Sequence, residues 1–163
     1  MSNFINDTLT MQIERGEVFL GSFDAEIEPQ LDTSTTSFKR YRILTGGYET
    51  SIRLEAAALT KCSIRVYEGA TFSAPGSTIP LVNMNFNSSN TISAAAWIDP
   101  TMSTNGTVKF ESFRLINNLV KLSPFDVESG VILKPSTEYQ FIISNLGSNT
   151  DDYVVMSYLR ELK

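Results

Sequence analysis

Apolar and polar residues alternate with a period of two through the centre of the chain. The segment Ser51–Ala56 alternates residue by residue, and Lys61–Glu68 repeats the pattern with Cys62, Ile64 and Val66 on one side. Successive side chains of a β-strand point to opposite faces, so this alternation indicates a strand with one buried and one solvated face. The centre of the chain is therefore predicted to form half-buried antiparallel strands.

Strand-length segments bounded by turn-forming residues fill most of the remaining sequence, whereas helical periodicity is scarce. The first predicted strand, Thr10–Phe19, is broken at Arg15-Gly16 and ended by Gly21. Leu31–Ser37 is predicted to be a loop, and Thr91–Trp97 is compatible with either a short helix or a strand. The other predicted strands are Phe23–Ile27, Phe38–Leu44, Ser51–Ala57, Lys61–Glu68, Ile79–Met84, Thr107–Ile116, Glu138–Ser144 and Tyr153–Leu159.

Two short glycine-containing segments predict hairpins. Gly46-Gly47 lies between Phe38–Leu44 and Ser51–Ala57, and a glycine pair supplies the positive φ that tight hairpin turns require. Asn105-Gly106 is a second signal of this kind and leads into Thr107–Ile116.

Roughly eight to ten short strands with regularly spaced turns are typical of an all-β domain. A chain of 163 residues fits one compact domain and carries no linker long enough to divide it. We therefore predict a single-domain, antiparallel β-sandwich or jelly-roll-like barrel. Residues 13–163 would form this domain, and residues 1–12 would form an N-terminal arm.

The charge balance of the chain is acidic, with 13 Lys and Arg against 18 Asp and Glu and a net charge of −5. Nucleic-acid binding needs a basic face, so nucleic acid is not expected as a partner. Lys39, Arg40 and Arg42 are predicted to lie on a solvated strand face. The N-terminal residues lack a signal-peptide pattern and no window approaches a membrane span, so we expect a protein of the cytoplasm without membrane contact.

The sequence is poor in catalytic residue types. It contains no histidine and one cysteine, which removes the Ser-His-Asp and Cys-His arrangements and the usual zinc ligands. Cys62 is in phase with apolar residues and is predicted to be a buried, inert thiol. Alternating Asp24, Glu26 and Glu28 leave a paired-carboxylate hydrolase as a remote alternative, and Asp151-Asp152 is expected to form a turn rather than a calcium loop. We expect a non-enzymatic protein without a cofactor.

Three stretches of the chain carry a family resemblance. The first is Ser63–Gly69, a strand that ends in Tyr-Glu-Gly, and the second is the asparagine-rich run Leu81–Asn90. The third is Ile132–Tyr139, with Leu-Lys-Pro-Ser-Thr-Glu-Tyr, followed by Phe141–Asn145 and the strand Tyr153–Glu161. In order and spacing these stretches resemble the head decoration, or cement, proteins of tailed bacteriophages over roughly residues 38–161.

The resemblance implies a virion structural protein that binds the major capsid protein on the outside of the shell and stabilises it. It also implies a homo-oligomer, with a trimer favoured, that is assembled in the host cytoplasm. An acidic protein suits the capsid exterior because packaged DNA would repel it. A carbohydrate-binding or receptor-binding β-sandwich module and a tail or head-fibre component remain alternatives.

Three sets of residues are candidates for the binding surface. Apolar side chains in the arm could dock on a neighbour by strand addition, or could belong to a frayed terminus or the first strand. The asparagine-rich run is a second candidate because loops commonly carry binding residues. Trp97 is expected to be a core or interface anchor. The predicted interface residues are Phe4, Ile5, Leu9, Met11, Asn83, Asn85, Phe86, Asn87 and Trp97.

Overall fold

A computed structural model describes residues 11–27, 29, 38–58, 61–114, 120–122 and 131–163. The predicted loop Leu31–Ser37 and the candidate arm residues Phe4, Ile5 and Leu9 lie outside this part of the chain. The described residues form fourteen strands. They are β1 Phe19–Ile27, β2 Phe38–Leu44, β3 Glu49–Ala58, β4 Cys62–Glu68, β5 Thr71–Ala74, β6 Ser77–Ile79, β7 Val82–Asn83, β8 Ala95–Ile98, β9 Thr101–Thr104, β10 Thr107–Arg114, β11 Val120–Leu122, β12 Val131–Leu133, β13 Glu138–Asn145 and β14 Asp151–Leu162.

The strands form two antiparallel sheets that pack face to face. In the first sheet the order is β11-β3-β14-β1-β7, with β12 also paired to β3, and in the second it is β10-β4-β13-β2-β8-β6. Strands β5 and β9 form a separate two-stranded ribbon. The prediction of a single-domain, all-β antiparallel sandwich is confirmed.

The core lies between the two sheets and is built from alternate residues of their central strands. Phe23 of the first sheet contacts Tyr41 of the second with ring centroids 5.4 Å apart, and Tyr41 in turn contacts Phe141 at 5.9 Å. The Tyr41 hydroxyl lies 2.6 Å from Ser157 Oγ, which also donates to the carbonyl oxygen of Gly21. The buried hydroxyls therefore satisfy one another across the sandwich, as buried polar groups must.

The predicted strand Thr10–Phe19 is wrong. Residues 11–14 form one helical turn, in which the Arg15 N–H donates to the Met11 carbonyl oxygen at 3.1 Å. The strand β1 begins only at Phe19 and runs through Gly21, where we expected it to end. Gly21 is a packing residue rather than a turn residue, because a Cβ there would lie 2.8 Å from Leu81 Cδ2.

Both predicted hairpins are also wrong, although their strands exist. Strands β2 and β3 lie in different sheets, so the Thr45–Tyr48 connection steps across the sandwich, and neither Gly46 nor Gly47 adopts a positive φ. Gly106 does adopt one, at 77°, but β9 pairs with β5 while β10 pairs with β4. Alternation identifies the buried face of a strand, but it does not predict which other strand pairs with it.

The predicted strand Ile79–Met84 is divided between the two sheets. Strand β6 ends at Ile79 in the second sheet, and β7 begins at Val82 in the first. Pro80 stands at the crossing, where a residue without an N–H costs no ladder hydrogen bond. The ambiguous segment Thr91–Trp97 contributes a strand, since β8 covers Ala95–Ile98.

Candidate interface at the loop end

Several connections converge on the end of the sandwich where β1 begins and β14 ends. Phe19 pairs with Leu159 there, and Glu49, the first residue of β3, pairs with Leu162. We call this region the loop end and define it by residues 11–17, 45–48, 84–94, 134–137 and 160–163.

The asparagine run holds the helical turn at residues 11–14 against the sandwich. Three asparagine side-chain amides donate to consecutive backbone carbonyl oxygens at residues 14–16, a segment that precedes β1. The bonds are Asn85 Nδ2 to Glu14 O at 2.7 Å, Asn90 Nδ2 to Arg15 O at 3.0 Å and Asn83 Nδ2 to Gly16 O at 3.0 Å. These carbonyls end a helical turn and have no following turn to bond, so the amides supply the partners they need.

A buried carboxylate fixes the other end of the same connection. Glu161 Oε1 accepts hydrogen bonds from the backbone N–H groups of Ser93 at 2.8 Å and Ala94 at 3.2 Å, and also from the Ser93 hydroxyl. The Glu161 side chain is only 4% exposed and lies 3.5 Å from Lys163 Nζ. Hydrogen bonds to an ionised acceptor are stronger than those between neutral groups. Residues 84–94 are therefore anchored to the backbone before β1 and to the last strand.

Two glycines allow this close packing. Gly16 has a φ of 69°, and a Cβ there would collide with the side chain of Ser88. A Cβ at Gly46 would collide with Ser93, lying 2.6 Å from its Cβ. Gly46 is thus required by the approach of another loop, rather than by the turn geometry that the sequence suggested.

The β12–β13 turn joins the same assembly. The Ser136 N–H donates to the Gly46 carbonyl oxygen at 2.7 Å, and Thr45 Oγ1 donates to the Lys134 carbonyl oxygen at 2.6 Å. Lys134 Nζ lies 2.8 Å from Glu68 Oε1, and this contact lowers the pKa of Glu68. The β2–β3 and β12–β13 connections are therefore hydrogen-bonded to each other, and Gly46 packs them against Ser93.

Phe86 is the most exposed large apolar side chain among the described residues of the loop end. It is 87% exposed and lies at the tip of a turn in which the Ser88 N–H donates to the Asn85 carbonyl oxygen at 2.9 Å. Asn85 Oδ1 also accepts from the Asn87 N–H at 3.0 Å, which closes the turn from inside. Met11 and Tyr48 are further exposed apolar side chains at the loop end. The turn presents an aromatic ring to solvent on a backbone that is already fixed.

Trp97 lies elsewhere, on the outer face of the second sheet. The Arg42 guanidinium lies 4.2 Å from the centroid of the Trp97 ring and 4.7 Å from that of Phe72. Arg42 also donates to both carboxylate oxygens of Glu138, at 2.9 and 2.5 Å. The prediction that Arg42 belongs to a solvated face is therefore wrong, because aromatic rings and a carboxylate enclose its side chain.

Gln140 of β13 pairs with Arg42 of β2 and is fully buried. Neither its side-chain oxygen nor its nitrogen has a hydrogen-bonding partner within the described part of the chain. A buried amide without partners destabilises the fold, and Met has nearly the same shape without the polar atoms. We expect Gln140→Met to raise the free energy of unfolding by about 1–2 kcal/mol in urea denaturation. Gln140→Glu, the matched control, should lower it, and a loss with Met would contradict the prediction.

The structure brings together four of the predicted interface residues, Met11, Asn85, Phe86 and Asn87, with Asn83 beside them. It separates Trp97 from this group. Sequence reasoning missed Glu161 and Tyr48, because a lone carboxylate or tyrosine has no local pattern that assigns it to a loop contact.

In the ranges given above, no cluster of three or more His, Cys, Asp or Glu side chains is arranged to hold a metal ion, and no helix is long and apolar enough to cross a membrane.

No protein-family model matches the sequence, and no curated protein matches it.

Proposed function

We propose that this chain is a non-enzymatic virion structural protein that binds the outside of a bacteriophage capsid and stabilises the shell. The observation that carries the proposal is Phe86, an exposed aromatic side chain on a loop that is hydrogen-bonded at both ends. The partner would be the major capsid protein, and the sequence resemblance to decoration proteins supports that choice.

A fixed loop suits a binding role for a physical reason. Ordering a loop on association consumes part of the binding free energy, and a loop that is ordered beforehand avoids this cost. An aromatic ring supplies a large apolar area with few rotatable bonds. Phe86, with Met11 and Tyr48 as further exposed apolar side chains of the loop end, therefore suits a pocket on a large protein surface.

The arrangement around Trp97 disfavours the carbohydrate-binding alternative. Sugar recognition by β-sandwich modules uses open aromatic faces, whereas the Arg42 guanidinium covers one face of the Trp97 ring. Arg42 is itself held by Glu138, so moving it would break two charge-assisted hydrogen bonds.

Phe86→Ser should weaken binding to undecorated heads of the phage that encodes the chain. Loss of a central aromatic anchor costs about 2 kcal/mol, so we expect about a 30-fold higher Kd in a co-sedimentation titration. The free energy of unfolding should change by less than about 0.5 kcal/mol, because the ring makes few contacts in the free protein.

Val108→Ser is the matched control, because Val108 is also exposed but lies on β10, at the edge of the second sheet. It should bind heads like the unmodified chain. If the unmodified chain fails to bind heads, the proposed function is wrong. If Phe86→Ser binds as tightly as the unmodified chain, the loop end is not the contact surface.

A further inference from the structure

The connection between β9 and β10 consists of Asn105 and Gly106, and both residues are exposed. Gly106 has a φ of 77°, and a Cβ there would lie 2.4 Å from the Glu68 carbonyl oxygen and 2.7 Å from the Ala70 backbone nitrogen. Backbone atoms cannot give way to a side chain as another side chain could, so this position requires glycine. The fold therefore keeps a glycine directly after an exposed asparagine.

This order of residues has a chemical consequence, because an asparagine side chain can react with the backbone nitrogen of the residue that follows it. The nitrogen attacks the side-chain carbonyl carbon, and glycine shields its nitrogen least because it has no side chain. Asparagine is accordingly one of the thermolabile residue types. A nitrogen whose N–H donates a hydrogen bond is held in place and must first be released by local opening. Hydrogen bonding therefore discriminates between asparagines that have similar neighbours in the sequence.

Hydrogen bonds restrain the nitrogen that follows other asparagines of the chain. Asn87 is the closest comparison, because it is also exposed and is followed by a small residue, Ser88. The Ser88 N–H donates to the Asn85 carbonyl oxygen at 2.9 Å. Asn145 is followed by Leu146, whose N–H donates to a backbone carbonyl oxygen at 2.7 Å. At these positions a hydrogen bond must break before the nitrogen can attack.

Gly106 lacks this restraint. Among the residues that the structure describes, none accepts a hydrogen bond from the Gly106 N–H, and none is hydrogen-bonded to the Asn105 side chain. Asn105-Gly106 is also the single Asn-Gly step in the sequence. The attacking nitrogen and the amide that it attacks are therefore adjacent, exposed and free of hydrogen bonds that would hold them apart.

We propose that Asn105 is a site of spontaneous deamidation. A base in solution takes the proton from the Gly106 nitrogen, which then attacks Asn105 Cγ. The bond from Cγ to Nδ2 breaks, and the departing amino group takes up a proton and leaves as ammonia. Water opens the resulting cyclic imide at either of its two carbonyl carbons. Opening at Cγ yields aspartate, and opening at the main-chain carbon yields isoaspartate, in which the backbone runs through the former side chain.

The product changes the surface at this connection. Either form carries one carboxylate more than the unmodified chain, whose net charge is −5. Residues 69–108 contain a single charged side chain, Asp99, and it is paired with Lys39 at 3.0 Å. Isoaspartate also adds a carbon atom to the main chain next to Gly106, where the backbone packs closely. The reaction goes beyond the proposed capsid binding and does not depend on it, because it needs no partner.

Peptide mapping by mass spectrometry tests the site in the full chain. The unmodified chain is incubated in mildly alkaline buffer, once folded and once unfolded in concentrated urea, and the loss of each asparagine is followed over time. In the folded chain Asn105 should deamidate fastest, with isoaspartate in the product. Urea frees the Ser88 N–H, so it should accelerate the reaction at Asn87 at least about fivefold more than the reaction at Asn105.

Asn105→Gln is the matched variant, because the longer side chain must close a larger ring and reacts far more slowly. It should fold like the unmodified chain and should lack the early acidic form that ion-exchange chromatography separates from the folded unmodified chain. Faster reaction at any other asparagine of the folded chain would overturn the proposal. Equal acceleration of Asn87 and Asn105 by urea would overturn it as well.

Discussion

Gly16→Ala is expected to lower the free energy of unfolding by about 3 kcal/mol in urea denaturation. An L-residue at positive φ costs about 1–2 kcal/mol, and the φ of Gly16 is 69°. The added methyl would also collide with Ser88, and overpacking of this kind costs about 1–3 kcal/mol. The loop that carries Phe86 must then shift, so head binding should weaken together with stability.

Gly69→Ala separates the two causes. Gly69 has a φ of 72°, nearly the same as Gly16, but a Cβ there would have no neighbour within 4 Å among the described residues. This variant should lose only the backbone term of about 1 kcal/mol and should bind heads normally. Ser88→Gly combined with Gly16→Ala should recover part of the loss. Equal destabilisation by Gly16→Ala and Gly69→Ala would contradict the steric role of the loop.

Ionisation of the Cys62 thiol on unfolding is by itself expected to remove about 4 kcal/mol of stability between pH 9 and pH 12. Burial, followed by the charge of Asp151, raises the pKa of the Cys62 thiol from 9.0 to about 12. Below pH 9 the thiol is protonated in both the folded and the unfolded state, so it does not change the free energy of unfolding. Above pH 9 the thiol ionises in the unfolded chain but not in the folded chain. The free energy of unfolding therefore falls by about 1.4 kcal/mol per pH unit from this group. Urea denaturation at stepped pH measures this slope.

Cys62→Ala is the control for the alkaline transition. Its stability at pH 7 should be lower because a small cavity replaces the sulfur, but the decline with pH should begin about one unit later. The remaining decline would come from Tyr41, whose pKa is raised above 10.0 by burial in the core. A variant that loses stability from pH 9 as steeply as the unmodified chain would rule out Cys62 as the cause.

The loop end shows how far local sequence patterns predict a candidate site. The asparagine run was predicted to be a loop that carries binding residues. Phe86 within it is the most exposed apolar side chain of that loop. Asn83, Asn85 and Asn90 bind the chain's own backbone, and Asn85 reaches Glu14 across 71 positions of sequence. The Glu161 contact with Ser93 spans 68 positions. No local pattern indicates a contact of that range.

The sequence by itself determined that this protein is built of strands and which side of each central strand is buried. Ile52 and Leu54, or Cys62, Ile64 and Val66, lie in the core because alternation follows from strand geometry alone. Only the tertiary structure decided which strands pair, that β2 and β3 separate into different sheets, and that Gly46 accommodates Ser93. Any strand with the right buried face satisfies the same alternation. The choice among partners therefore depends on packing and hydrogen bonds between residues far apart in the chain.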